Sequence, residues 1–178
     1  MEHLRSRVQG WTLFLIVGLV LSGATALPIS MEVEAAAAAL GPDLSAGGRL
    51  PEFVASWLRT LHSGIQETSR RAPFMFYGTD WLAFGHFMIA LVLVGALRDP
   101  VRNRWLYQFG MAACALVPLW ALLFGHLRGI PPWWRAIDAS FGIVAFIPAW
   151  LCHRWTVAME RARAGPDLRV SGRSLGDG

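Results

Sequence analysis

The sequence predicts an all-α membrane protein, a four-transmembrane-helix bundle that carries an extracytoplasmic amphipathic helical segment. Three observations support this fold class. Of 178 residues, 54% are hydrophobic and only 16% are charged, whereas soluble domains carry roughly 25% charged residues. The mean hydropathy is +0.42. Four apolar runs are long enough to cross a bilayer. These values exclude an ordinary soluble domain and an intrinsically disordered chain.

The predicted organisation has five parts in chain order. A cytoplasmic N-terminus leads into transmembrane helix 1, and an extracytoplasmic helical segment follows. Transmembrane helices 2–4 come next, and the chain ends in a cytoplasmic tail rich in Gly, Arg, Ser and Asp, which is predicted to be disordered. These parts cover residues 1–10, 11–27, 28–79, 80–155 and 156–178.

The first apolar run has two interpretations. As a transmembrane helix it is long enough to stay in the membrane. Residues 1–26 also fit a secretory signal peptide, with Arg5 and Arg7 as its basic region and Ala24-Thr25-Ala26 as an A-x-A cleavage motif. Cleavage would leave three transmembrane helices. The length of the run favours the uncleaved helix, and both interpretations stay open.

The segment 28–79 predicts two helices outside the membrane. Residues 31–40 include five consecutive alanines, which favour a helix, and the Gly47-Gly48 pair forms a hinge. Pro51 begins a second helix. Its apolar residues recur at helical spacing on one stripe: Phe53, Val54, Trp57, Leu58, Leu61 and Ile65. Such a helix lies on the membrane surface, caps the bundle or binds a partner.

The remaining three spans are predicted over Trp81–Leu97, Leu106–Phe124 and Ala139–Trp155. Tryptophan and tyrosine residues near the run ends suit the membrane interface, because their rings are apolar and their N–H or O–H reaches water. Pro118 predicts a kink in the third span. Each segment is expected to be helical, since backbone groups in lipid need hydrogen bonds within the segment.

Arginine distribution predicts the orientation. All 16 basic residues are arginines, and the net charge is +4. With both termini in the cytoplasm, ten arginines lie inside and six outside, as the positive-inside rule requires. The short arginine-rich loop 98–104 is the clearest indicator. The arginines flank apolar runs and form no continuous patch, so the predicted partner is the lipid bilayer, with other membrane proteins as further candidates, and nucleic acid is not a predicted partner. The absence of C-x-x-C favours buried thiols at Cys114 and Cys152.

Polar residues near the outer ends of the spans form the candidate site. On the predicted topology they lie at or just below the outer boundary of the membrane, and they are Asp80, His86, His126, Arg128, Arg135 and Asp138. Ionisable groups at membrane depth are the best functional leads in such a sequence. His86 and His126 suggest a haem or metal site, although they differ in depth by about 7–8 Å. The alternatives are hydrogen bonds that hold helices together and a small-molecule or lipid-headgroup pocket. The sequence identifies no cofactor.

Several motifs carry a resemblance to a known group. They are Tyr77 to His86 (YGTDWLAFGH), Leu97 to Asn103 (LRDPVRN), Arg128 to Pro131 (RGIP), Trp134 to Asp138 (WRAID) and Ser140 to Gly142 (SFG). Together, within residues 70–150, they resemble a family of small multi-helix bacterial inner-membrane proteins of uncharacterised activity. The resemblance implies a bacterial inner-membrane protein and no particular reaction. His126 lies outside these motifs, which counts against a two-histidine site.

The leading functional hypothesis is a non-enzymatic accessory or assembly protein of the bacterial inner membrane. It rests on the helix-packing residues, the outer amphipathic helix and the lack of a recognisable catalytic motif in the sequence. The first alternative is a redox or ligand-binding membrane protein with a site at the outer face around His86. The second is an enzyme or transporter that acts on a small molecule or a lipid.

Overall fold

A computed structural model describes residues 2–41, 43–45 and 47–164. Within these residues the chain is all-helical and contains no strand. A short 3-10 helix, Pro73–Phe76, directly precedes the fourth α-helix. The α-helices are α1 (Glu2–Ala26), α2 (Ile29–Leu40), α3 (Glu52–Arg71), α4 (Tyr77–Arg98), α5 (Arg104–Leu127) and α6 (Pro132–Ala164).

Four helical segments are long and apolar enough to cross a membrane: Glu2–Ala26, Pro73–Arg98, Arg104–Leu127 and Pro132–Arg163. The predicted fold class is confirmed, and the chain is a multi-pass membrane protein. The helices α2 and α3 fall between the first two spans, where the sequence predicts a helical segment.

All four spanning helices extend beyond the apolar runs from which they were predicted, and α1 and α6 extend furthest. Helix α1 begins at Glu2 and therefore includes the polar residues before the run. Helix α6 continues to Ala164, so the first part of the predicted disordered tail is helical. The reason is packing, because Thr156 and Met159 are buried and need a regular backbone to reach the core. The rest of that tail, residues 165–178, lies outside the described residues.

The chain divides into two compact units. One unit contains residues 2–17 and 90–164, and the other contains residues 18–89. Both α1 and α4 therefore contribute one part to each unit.

The unit of residues 2–17 and 90–164 has α5 and α6 as its central pair. Helix α5 continues through Pro118, which has no N–H to donate to the carbonyl of Cys114 one turn earlier. Gly142 of α6 lies against this point, and a Cβ there would meet the Cys114 carbonyl oxygen at 2.5 Å and Pro118 Cδ at 2.9 Å. A glycine is needed at this position because the two backbones approach too closely for a side chain.

The loop between α4 and α5 is held by two polar side chains. The Asn103 side-chain amide donates to the carbonyls of Gly95 and Asp99, each at 3.0 Å. The Asp99 carboxylate accepts a bond from the Arg102 amide at 3.2 Å. These bonds hold the loop against the C-terminal end of α4, where the Gly95 carbonyl also accepts a bond from the Asp99 amide at 3.0 Å. They also explain the LRDPVRN motif as a tight, self-bonded connection.

In the unit of residues 18–89, α1 meets α4 at Gly23. A Cβ at this position would lie 2.8 Å from the Phe87 ring and 3.1 Å from both the Ala83 carbonyl oxygen and His86 Cβ. The helices α2 and α3 pack against each other in the same unit. Leu44, in the loop between them, is buried.

Candidate functional site

The six predicted site residues belong to both units. Asp80 and His86 lie on α4 within residues 18–89, whereas the other four lie at the end of α5 and the start of α6. Each group has its own geometry. The predicted convergence of all six residues stays a prediction.

His86 is half-buried on α4 and faces α1, where its Cβ approaches Gly23. Its Nδ1 lies 2.8 Å from the Leu82 carbonyl oxygen. Since a carbonyl can only accept, Nδ1 donates this bond, and Nε2 is the ring nitrogen left for another partner. The bond stays within α4, whereas the sequence suggested a bond to a neighbouring helix. Asp80 is exposed in the first turn of the same helix.

In the second group, Arg135 both packs against α5 and donates a hydrogen bond to it. Its aliphatic stem lies against Gly125, where an added Cβ would come within 2.6 Å of Arg135 Cγ and Cδ. One terminal nitrogen donates to the Leu122 carbonyl at 3.3 Å. His126 and Arg128 are exposed at the end of α5, and Asp138 is half-buried one turn beyond Arg135 on α6. Arg135 therefore holds the start of α6 against the last turn of α5.

These side chains do not form a recognisable metal centre in the described part of the chain. No group of three or more His, Cys, Asp or Glu side chains is placed to hold a metal ion among residues 2–41, 43–45 and 47–164. His86 itself offers Nε2, because Nδ1 is bonded to the Leu82 carbonyl. The haem and metal hypothesis stays a prediction without a ligand set.

A buried polar cluster joins three helices in the unit of residues 2–17 and 90–164. It was not predicted as a unit from the sequence. Thr12 of α1, Tyr107 of α5 and Cys152 of α6 are all completely buried. The Thr12 hydroxyl lies 2.7 Å from the Tyr107 hydroxyl and 2.7 Å from the Val8 carbonyl oxygen. The Cys152 thiol lies 3.7 Å from the same carbonyl and 4.0 Å from the Thr12 hydroxyl. The prediction that Cys152 is a buried thiol is confirmed, and Cys114 is half-buried.

Further polar contacts tie the same helices together around this cluster. Gln9 donates from its side-chain amide to the Leu97 carbonyl at 3.2 Å, and Arg5 donates to the Arg98 carbonyl at 3.2 Å. Arg104 of α5 forms an ion pair with Glu160 of α6. The beginning of α1 is thus bonded to α4 and α5, and α5 is bonded to α6. Signals for this arrangement were present in the sequence, because Thr12, Tyr107 and Cys152 lie at matching ends of their predicted spans.

The described residues also form an open groove between α2 and α3. Its volume is about 380 Å³, and small or apolar residues form one wall while Arg59 and His62 form the other. The wall residues on the first side are Ala37, Ala38, Gly41 and Leu44. The volume falls in the range of roughly 300–1,000 Å³ that is typical of binding pockets.

The loop at the end of this groove is firmly held. The Asp43 carboxylate accepts bonds from the Ser45 hydroxyl at 2.5 Å and the Ser45 amide at 3.2 Å. These two bonds lower the pKa of Asp43 below its ordinary value of 3.8, and the hydroxyl has the larger effect. Arg59 donates to the Asp43 carbonyl at 2.9 Å and forms an ion pair with Glu52. Ser45 in turn accepts a bond from the Gly48 amide at 2.9 Å.

Comparison of the chain with protein-family models, with curated proteins and with solved structures finds no match in any of the three. The resemblance within residues 70–150 therefore stays a prediction.

Proposed function

We propose that the chain is a non-enzymatic accessory or assembly protein of the bacterial inner membrane, with both termini in the cytoplasm. In this proposal the four spans are a platform, and the hairpin of α2 and α3 binds a segment of another membrane protein on the outer side. The orientation is supported by the arginine count and by the basic loop 98–104.

The observation that carries the proposal is the groove between α2 and α3. Ala37, Ala38 and Gly41 give it a wall of small residues that allows a partner backbone to approach closely. The Asp43–Ser45 turn and the bonds of Arg59 hold both walls in place without a partner present. A pre-organised surface loses little conformational freedom on binding, and this favours a binding role for the hairpin.

The polar side chains of the spans support a structural platform. Thr12 and Tyr107 are used to join helices, and Arg135 packs along the last turn of α5. His86 satisfies one ring nitrogen within its own helix. Bonds between helices, such as the one between Thr12 and Tyr107, commonly tie transmembrane helices together.

Retention of the first helix is part of the proposal. Val8 and Thr12 are completely buried in the unit of residues 2–17 and 90–164. Removal of residues 1–26 would leave the Tyr107 hydroxyl without the Thr12 hydroxyl that it contacts. Intact-mass measurement of the protein extracted from membranes tests this point, and a mass that lacks residues 1–26 would contradict it.

Site-specific photo-crosslinking tests the binding role. A photoreactive residue at Ala38, which lines the groove, is expected to give a crosslinked product with a membrane protein in intact cells. The matched control is Ala39, an exposed alanine of the same helix that does not line the groove. Equal products at both positions, or no protein product at Ala38, would contradict binding in the groove.

Reporter fusions test the orientation. A reporter that is active only in the cytoplasm is expected to work when fused at Asn103 and to fail when fused at Arg49. The reverse result would place the hairpin in the cytoplasm and overturn the proposed topology.

A further inference from the structure

An exposed ladder of aromatic side chains runs from the 3-10 helix into α4. Phe74, Tyr77, Trp81 and Phe84 follow one another at spacings of three or four residues, which place them on one face. Tyr77 and Trp81 meet edge to face with ring centres 6.0 Å apart, and Trp81 and Phe84 do so at 5.5 Å. The exposed fractions along the ladder are 73%, 63%, 56% and 48%.

Two arginines immediately precede this ladder. Both are exposed in the last turn of α3, and each uses Nε for a contact one turn back. Arg70 Nε donates to the Gln66 carbonyl at 3.4 Å, and Arg71 Nε lies 2.5 Å from a Glu67 carboxylate oxygen. Both contacts use Nε, and each guanidinium group has two terminal nitrogens as further donors.

The position of these residues in the span places them at the membrane interface. The span Pro73–Arg98 has 26 residues, which correspond to about 39 Å of helix at 1.5 Å per residue. This length matches the roughly 40–45 Å of a bilayer with both headgroup layers. From this match we expect Phe74 and Tyr77 at headgroup depth, and Trp81 and Phe84 beside the upper acyl chains. Arg71 is two residues before the span, so its Cα lies within about 7 Å of that of Pro73.

We infer that this surface binds one phospholipid molecule. The terminal nitrogens of Arg70 and Arg71 bind its phosphate, and its glycerol and upper acyl chains lie along Phe74, Tyr77 and Trp81. A guanidinium group presents paired donors that fit phosphate oxygens. The occupant is a lipid because the ladder is the outward face of a membrane span, and that face meets lipid in the bilayer.

The charge of the segment defines the selectivity. Glu67 and Asp80 balance Arg70 and Arg71, so residues 67–81 are neutral overall. Selectivity is therefore for the phosphate group and not for a net negative charge on the lipid. Phosphatidylglycerol and phosphatidylethanolamine bind equally well, and diacylglycerol, which has no phosphate, binds more weakly.

Native mass spectrometry of the full chain in a maltoside detergent tests the inference with these three lipids as probes. The double variant R70Q/R71Q is expected to lower retention of both phospholipids about tenfold, because it removes charge-assisted hydrogen bonds, and to leave diacylglycerol unchanged. The variant W81A is expected to lower retention of all three lipids. The control R49Q, an exposed arginine in the loop before α3, is expected to behave as the unmodified chain.

Several results would overturn the inference. Unchanged phospholipid retention in R70Q/R71Q would remove the phosphate contact, and an equal loss of diacylglycerol would reduce the surface to a purely apolar one. Displacement of the phospholipids by millimolar inorganic phosphate would indicate a phosphate site that does not need a lipid. Photo-crosslinking at Phe74 to a protein and not to lipid would assign the surface to a protein partner. None of these results depends on the groove between α2 and α3.

Discussion

Replacing Gly142 with alanine is expected to separate α5 from α6. The new Cβ would lie 2.5 Å from the Cys114 carbonyl oxygen, 2.8 Å from Val117 Cβ and 2.9 Å from Pro118 Cδ. Carbon atoms pack at about 3.5–4.0 Å, so one helix must move by about 1 Å. None of the three atoms is the end of a flexible side chain, and local rotation cannot relieve the contacts.

The expected cost is about 2 kcal/mol. Overpacking in a well-packed interface costs about 1–3 kcal/mol, and a gap of about 1 Å loses up to half of the dispersion energy of the neighbouring contacts. A loss of this size lowers the ratio of folded to unfolded protein about 30-fold. Unfolding in mixed micelles, followed by tryptophan fluorescence during an SDS titration, measures the change.

Gly110→Ala is the matched control. Gly110 lies in the same pair of helices, but its Cβ would meet Ala149 Cβ at 3.7 Å, an ordinary contact. The higher helix propensity of alanine stabilises both variants by up to about 1 kcal/mol, so the difference between them isolates the steric effect. The double variant G142A/P118A is expected to recover part of the loss, since it removes the Cδ contact and restores an N–H for the Cys114 carbonyl. Equal stability of G142A and G110A would refute the reasoning.

Three further predictions concern other contacts. Thr12→Val leaves the buried Tyr107 hydroxyl unpaired and is expected to cost about 1–2 kcal/mol in the same titration; adding Tyr107→Phe should recover most of this loss, and a further loss would argue against the hydrogen bond. Gly125→Ala is expected to displace the Arg135 stem and to lower stability by about 1–3 kcal/mol, whereas unchanged stability would mean that Arg135 moves freely. Because its pKa is lowered, the Asp43 carboxylate stabilises the loop above its unfolded pKa, and that contribution is lost as the pH falls through the lower folded pKa. Hydrogen exchange of residues 43–50, corrected for the intrinsic rate, should therefore accelerate as the pH falls below 3.8, and the acceleration should be absent from the variant D43A.

Hydropathy predicted the membrane spans because crossing lipid imposes a minimum length and an almost uncharged composition. The helix ends were less predictable. Helix α6 runs on to Ala164 because Thr156 and Met159 pack in the core, a tertiary effect that the drop in hydropathy after Trp155 concealed.

The contacts of the candidate residues were harder to predict. The sequence indicates how deep a residue lies in the membrane, but not how its helix is rotated about its own axis. Lipid-facing and helix-facing sides of a span are both apolar, so periodicity does not indicate which way His86 points. Its approach to Gly23 depends on that rotation, whereas its hydrogen bond to Leu82 lies within its own helix. Thr12, Tyr107 and Cys152 could have been grouped by depth in the same way as the outer residues. As a threonine, a tyrosine and a cysteine, however, they carry no charge that would draw attention to them.

The contact between Thr12 and Cys152 joins residues that are 140 positions apart in the chain. During synthesis α1 reaches the membrane before α6 has been translated. The Thr12 hydroxyl therefore lacks its long-range partners until the later helices have inserted. Assembly of this core is consequently a late event, completed only after the last span has entered the bilayer. A nascent chain stalled before α6 would lack the helix that covers Thr12 and Tyr107, and these polar groups would be open to the quality-control proteases of the membrane.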